Sequence, residues 1–180
     1  MDKESKTGKA RISYWLLPSE TNRRGLAGLI SRLADQYDGQ VFEPHVTVYS
    51  GSAGVAGEEV GRILAKVAKD CGDIRLQCTG LAFSDKYTKT CYLSFSPDPR
   101  LETMSGMLGS MSAGSDRYQF DPHLSLFYGR LTGRDREEIR EMIELPETVC
   151  FAGIAAMSTG ARIESASDVE EWRLVDALRL

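Results

Sequence analysis

Pro44-His45-Val46-Thr47-Val48 and Pro122-His123-Leu124-Ser125-Leu126 decide how this sequence is read. His45 and His123 are the only histidines in the chain, and each follows a proline and stands two residues before a hydroxyl side chain. Apolar residues alternate with these polar ones, the two-residue period of a strand with one buried face. On a strand, His45 and Thr47 project together, as do His123 and Ser125, while the intervening valines and leucines turn toward packing. Imidazole titrates near neutral pH, so one ring can take a proton while its partner gives one. Two hydroxyls beside them can donate hydrogen bonds to non-bridging phosphate oxygens. The pattern points to phosphoryl chemistry, with His45 and His123 as an acid/base pair, Thr47 and Ser125 as phosphate ligands, and neither metal nor cofactor required.

Around each motif the chain repeats one order of elements. Residues 9–17 (KARISYWLL) read as a strand closed by Pro18, with Ser19 or Thr21 placed to cap a helix. Leu26, Leu29, Ile30, Leu33 and Tyr37 recur at helical spacing up to Gly39, and the first histidine strand follows at 44–50. A Gly- and Ala-rich loop at 51–57 leads to a second amphipathic helix marked by Val60, Ile63, Leu64 and Val67. Residues 74–83 and 90–95 read as a hairpin across the polar turn 84–89. Leu101, Met104, Leu108 and Met111 mark a third helix, which ends in the small, polar segment 112–116 before the second histidine strand at 120–128. A short helix at 134–143 precedes Pro146, and strands at 148–158 and 171–178 close the chain around a polar connector. Strand, helix, histidine strand thus occurs twice, a weak internal duplication. Two similar lobes facing each other would bring the histidines together. The order favours an α+β fold with antiparallel sheets over a doubly wound parallel one.

With 180 residues, 42% apolar and 27% charged, the chain suits one domain spanning 1–180, with any disorder expected in the polar start at 1–9. No run approaches the roughly 18 apolar residues of a membrane span, and the start does not read as a signal sequence. A soluble, cytoplasmic, monomeric protein is expected. The net charge of −4 weighs against long nucleic acid, which needs cations spread over a surface, whereas one small anion needs only a few local donors. Cys71, Cys78, Cys91 and Cys150 form no CxxC pair. Cys91 and Cys150 sit in apolar, strand-like runs and are expected as buried free thiols, while a Cys71–Cys78 pairing stays open. The sequence has no glycine-rich phosphate loop, no Gly-x-Ser-x-Gly elbow and no familiar spacing of zinc ligands.

The paired H-x-[ST]-φ tetrapeptides, His45 to Val48 and His123 to Leu126, resemble those of the 2H phosphoesterase superfamily. Within it, the stretches 42–48 and 122–129, the first strand at 13–18 and the late Trp172 are most similar to the plant and fungal cyclic phosphodiesterases. The resemblance implies a bilobal α+β fold, with two antiparallel-sheet lobes and outer helices related by a pseudo-twofold axis around a central cleft. It implies metal-independent opening of ribose cyclic phosphates: 2′,3′-cyclic nucleotides to 2′-phosphates, and ADP-ribose 1″,2″-cyclic phosphate to ADP-ribose 1″-phosphate. The partner would be such a small nucleotide or ADP-ribose cyclic phosphate. Trp15 and Tyr128 are candidate walls for a substrate base, although core packing suits both and simple alternation puts Tyr128 on the face opposite His123. Lys86 and Lys89 lie in a turn within reach of a phosphate, with a solvated charged turn the plainer reading. Two other functions stay open: an RNA-end enzyme of the same superfamily, acting on 2′,3′-cyclic phosphates or 2′-5′ linkages, and a nucleotide-binding protein without turnover.

Overall fold

The computed structural model of the chain describes residues 11–52, 57–112 and 118–180. The polar start at 1–9, and most of the small-residue segments singled out at 51–57 and 112–116, lie outside the described residues. The chain runs through β1 (Arg11–Pro18), α1 (Glu20–Tyr37), β2 (Val46–Ser52), α2 (Gly57–Cys71) and β3 (Ile74–Phe83). A 3-10 turn (Tyr87–Lys89) leads to β4 (Cys91–Phe95), α3 (Pro99–Met111), β5 (His123–Phe127) and α4 (Gly133–Met142). β6 (Thr148–Thr159), α5 (Ala166–Glu170) and β7 (Arg173–Arg179) complete it. The apolar spacing that marks α1, α2 and α3 in the sequence is the spacing that becomes buried, with Ile30, Leu33, Leu64, Val67, Met104 and Leu108 fully enclosed. Burying each such side chain contributes about 1.5–3 kcal/mol. α5 falls within the polar connector, where five residues are too few to show a helical period.

Among the described residues seven strands join one antiparallel sheet in the order β1-β2-β5-β4-β3-β6-β7, and β1 also pairs with β6. The hydrogen bonding therefore closes into a circuit, and the two expected lobes are halves of one continuous sheet. The long β6 makes one junction: residues 148–151 pair with β3, and residues 151–159 pair with β1. The other junction is a single antiparallel pair between β2 and β5, Val46 with Leu124. The helices cross between halves. α1, from the first repeat, packs on β5, and α3, from the second, packs on β2. Each histidine strand is thereby backed by the other repeat's helix.

Some local devices differ from the sequence expectation. Ser19 occupies the α1 N-cap without a side-chain capping bond. At the other end Asp38, not Gly39, takes the left-handed conformation, with φ of 54°. Gly39 is needed for a different reason: a Cβ there would lie 2.2 Å from the ring of Phe127, which is 1% exposed and cannot retreat. All four cysteines are free. Cys91 is buried, but Cys150 is only partly so, because it alternates on β6 with Val149 and Phe151, which take the core face. Among the described residues no helix is long and apolar enough to cross a membrane.

Gly39→Ala is expected to lower the free energy of unfolding by about 1–3 kcal/mol through overpacking against Phe127. Asp38→Gly, which relieves a non-glycine residue at positive φ, is expected to be neutral or stabilising. Urea denaturation of the two variants checks the order; equal stabilities would show that Phe127 yields.

Candidate active site

Val46 and Leu124 are both fully buried and face each other across the β2–β5 junction. Their neighbours must therefore turn to the opposite face of the sheet. Continuing the antiparallel register sets Thr47 across from His123 and His45 across from Ser125. All four line a single cleft of about 250 Å³. Val48, Leu126 and the two junction residues are buried behind them, as the alternation in the sequence requires.

Each imidazole is held in the same way. Nδ1 of His45 donates to the Glu43 carbonyl oxygen at 2.6 Å, and Nδ1 of His123 donates to the Asp121 carbonyl oxygen at 2.6 Å. A carbonyl can only accept, so the hydrogen of each neutral ring resides on Nδ1 and Nε2 is the basic nitrogen. Pro44 and Pro122 favour extended backbone at the preceding acidic residue, which supplies the accepting carbonyl. Burial pushes His45 down to about 4, against the opposing effect of its bond to Glu43, and charge on His123 pushes it the same way. His123 is also depressed, first by burial and then by Lys89 and Lys86, while the Asp121 carbonyl and carboxylate act against that fall. Burial is the first cause at both rings, and it is more complete at His45 than at His123.

Tyr128 corrects the simple alternation. Tyr92 of β4 pairs with Ser125 and Cys91 with Phe127, so β5 carries one residue more than its partner. This bulge leaves Leu126 and Phe127 both in the core and returns Tyr128 to the cleft beside His123 and Ser125. β2 has a bulge at the equivalent place: Trp15 pairs with Thr47 and Tyr14 with Tyr49, so Val48 and Tyr49 are both buried and Ser50 returns to the cleft. The duplication thus extends to the irregularities of the two strands.

Trp15 and Tyr128 both line the cleft, but each stacks on a protein ring. Trp15 lies parallel to His45 at 3.7 Å between centroids, and Tyr128 lies parallel to Phe42 at 3.7 Å. Each is 3% exposed, so neither offers the open face expected of a wall for a base. Trp172 stands edge-on to Trp15 at 5.0 Å, and its indole nitrogen is buried with no hydrogen-bond partner among the described residues. Ser125 donates its hydroxyl hydrogen to the Thr88 carbonyl oxygen at 2.8 Å. Lys89, expected as a solvated turn residue, is instead paired with Asp121, with its side chain 14% exposed.

Sequence reading missed Arg11, Ser13, Ser50, Thr88, Tyr118 and Trp172 as parts of this cleft. Arg11 and Ser13 share the two-residue period of Trp15 on β1, a signal that was available. Ser50 needs the bulge, and Thr88, Tyr118 and Trp172 arrive from elements that the local pattern does not connect to the motifs. Arg11 bonds to the Ser50 carbonyl oxygen through Nη2 at 2.7 Å and to its hydroxyl through Nε at 3.2 Å. Among the described residues it is the one arginine or lysine that lines the cleft, and no carboxylate does. The electrostatic character suits an anion. Among the described residues no group of three or more His, Cys, Asp or Glu side chains is placed to hold a metal ion.

The fold agrees with what the chain is similar to. A curated relative, a 2′,3′-cyclic-nucleotide 3′-phosphodiesterase of Kluyveromyces lactis, is 31% identical over 147 residues, covering 72% of this chain and 69% of that protein. The crystal structure of E. coli LigT complexed with 3′-AMP superposes with a TM-score of 0.57 at 13% identity, over 96% of this chain and 98% of the other. A structure described as a phosphoesterase gives 0.58 at 12% identity, over the same shares. These two likenesses speak for the α+β fold alone. The family model for cyclic phosphodiesterase-like proteins matches residues 10–180, and the chain belongs to that family of 2H phosphoesterases.

Proposed function

We propose that the protein hydrolyses ribose cyclic phosphates by two-histidine acid/base catalysis. One observation carries the reading: two imidazoles, both with Nδ1 committed to a carbonyl and Nε2 left basic, share a cleft with two hydroxyls and an arginine. A 2′,3′-cyclic nucleotide bound there would present its phosphate to Thr47, Ser125 and Arg11, Ser125 first turning its proton away from Thr88. His45, the more deeply buried ring and neutral down to low pH, accepts a proton from the attacking water. His123, the less enclosed ring and the one whose Nδ1 bond to the Asp121 carbonyl favours the charged form, protonates the departing ribose oxygen. Water adds to phosphorus, the bond from phosphorus to O3′ breaks, and a 2′-phosphate results. The named activity of the K. lactis relative supports this choice of bond. ADP-ribose 1″,2″-cyclic phosphate, opened to the 1″-phosphate, is the second substrate we propose. The cleft is small, and a single arginine suits a small anion better than a polymer backbone, which ranks RNA-end processing lower.

Hydrolysis in the presence of EDTA, with the product isomer identified by phosphorus NMR, tests the reaction. Opening to the 2′-phosphate alone is expected. His45→Ala and His123→Ala should each fold normally and lose kcat by roughly 10³-fold. Thr47→Ala and Ser125→Ala should each lose about ten- to a hundredfold, the worth of one hydrogen bond to a charged group. Near-normal turnover in either histidine variant would end the acid/base reading.

The pH dependence follows from the two environments. kcat/KM requires neutral His45 and protonated His123, so it should fall on the acid side near pH 4, where His45 gains its proton. It should fall on the alkaline side from below the ordinary imidazole value, because His123 is depressed as well. An optimum on the acid side of neutrality is expected. An activity that only rises through pH 7 would reverse the assignment.

A further inference from the structure

We propose that the ion pairs Arg23–Glu43 and Lys89–Asp121 form matched positioning clamps, which hold His45 and His123 in the tautomer with hydrogen on Nδ1. The proposal rests on the acid/base reading above and gives Arg23 and Lys89 a part in it. Glu43 and Asp121 occupy the same place, two residues before each histidine, and theirs are the carbonyls that receive the ring hydrogens. Each carboxylate is gripped by a cation from another element. Arg23 of α1 engages Glu43 as a fork, with Nη2 to Oε2 at 3.0 Å and Nε to Oε1. Lys89 of the 3-10 turn engages Asp121 and lies 4.4 Å above the ring of Tyr92, which itself stands edge-on to His123 at 5.3 Å.

The clamps are where the backbone needs them. Residues 39–45 and 118–122, which deliver the histidines to β2 and β5, carry no strand or helix structure. No ladder therefore fixes the direction of the Glu43 and Asp121 carbonyls, and the following prolines have no N–H with which to build one. A tethered side chain on the same residue limits that freedom. Phe-Glu-Pro-His at 42–45 and Phe-Asp-Pro-His at 120–123 repeat the acid with the histidine, yet the cations are not repeated. One comes from a helix and the other from a turn. That the same carboxylate is gripped twice by unrelated means is the mark of a requirement at the site. A ring that loses its Nδ1 acceptor can move its hydrogen to Nε2: His45 then no longer offers a base to the cleft, and His123, when protonated, is no longer aimed at the leaving oxygen by its Nδ1 hydrogen bond.

With two histidines in the chain, a long-range proton–nitrogen spectrum of the full-length protein at pH 7.5 resolves both rings and reads each tautomer. Both are expected to carry hydrogen on Nδ1. Lys89→Met should mix the tautomers of His123 and leave His45 unchanged, and Arg23→Met should do the reverse. Each should lower kcat on the order of tenfold, with KM held within about twofold, and Lys89→Arg should restore both readings. These partly exposed pairs contribute little to stability, so folding should persist, and Asp121→Asn and Glu43→Gln give the same readings with shape retained. Unchanged spectra and unchanged kcat in the clamp variants would overturn the proposal. If instead the tautomers shift as described while His45→Ala and His123→Ala keep their turnover, the clamps stand and the acid/base reading falls.

Discussion

The site depends on one backbone pairing, Val46 with Leu124. It is the sole rung between β2 and β5, and it fixes two things at once. Burial of both side chains commits their neighbours to the cleft, and the antiparallel register places each histidine opposite the other strand's hydroxyl. A slip of one residue in either strand would send a histidine into the core and a valine or leucine into the cleft, so the burial that stabilises the junction also sets which side chains line the cleft. The crossed helices reinforce it. With α1 behind β5 and α3 behind β2, neither half of the sheet can shift without disturbing the core of the other.

Regular strands alone would not complete the cleft. Both histidine strands bulge after their hydroxyl residue, and each bulge turns a further polar side chain, Ser50 or Tyr128, back toward the cleft. The extra residue adds to the core on its far side. Tyr49 packs against Tyr14 and Tyr118, and Phe127 packs against Tyr37 and into the space left by Gly39. A bulge is thus stabilised by the aromatic residue it buries.

Chemical differentiation arises within this near-symmetry. His45 is stacked on Trp15 and enclosed, so a positive charge on it is costly. His123 stands nearer a lysine–carboxylate pair and is less enclosed. Two identical side chains, bonded to backbone in identical fashion, are in this way separated in basicity by their surroundings. A separation of that kind is what the proposed pairing of a base with an acid would use.

By itself the sequence determined most of the elements and the four motif side chains that share the cleft. Hydrophobic period located the helices and most strands, because burial of an amphipathic face leaves its spacing in the chain. Two identical contexts around the only two histidines marked the residues that meet, because a strand's alternation is local and needs no knowledge of the rest. Only tertiary structure decided what those residues touch. The Val46–Leu124 register, the stacking of Trp15 on His45, the hold of Thr88 on Ser125 and the arrival of Trp172 join positions from 30 to over 150 residues apart. Tyr128 shows the limit most plainly: alternation assigned it to the wrong face, because a bulge exists only in relation to the partner strand. Pairing between strands is a property of two segments together, and a single segment's pattern carries no record of it.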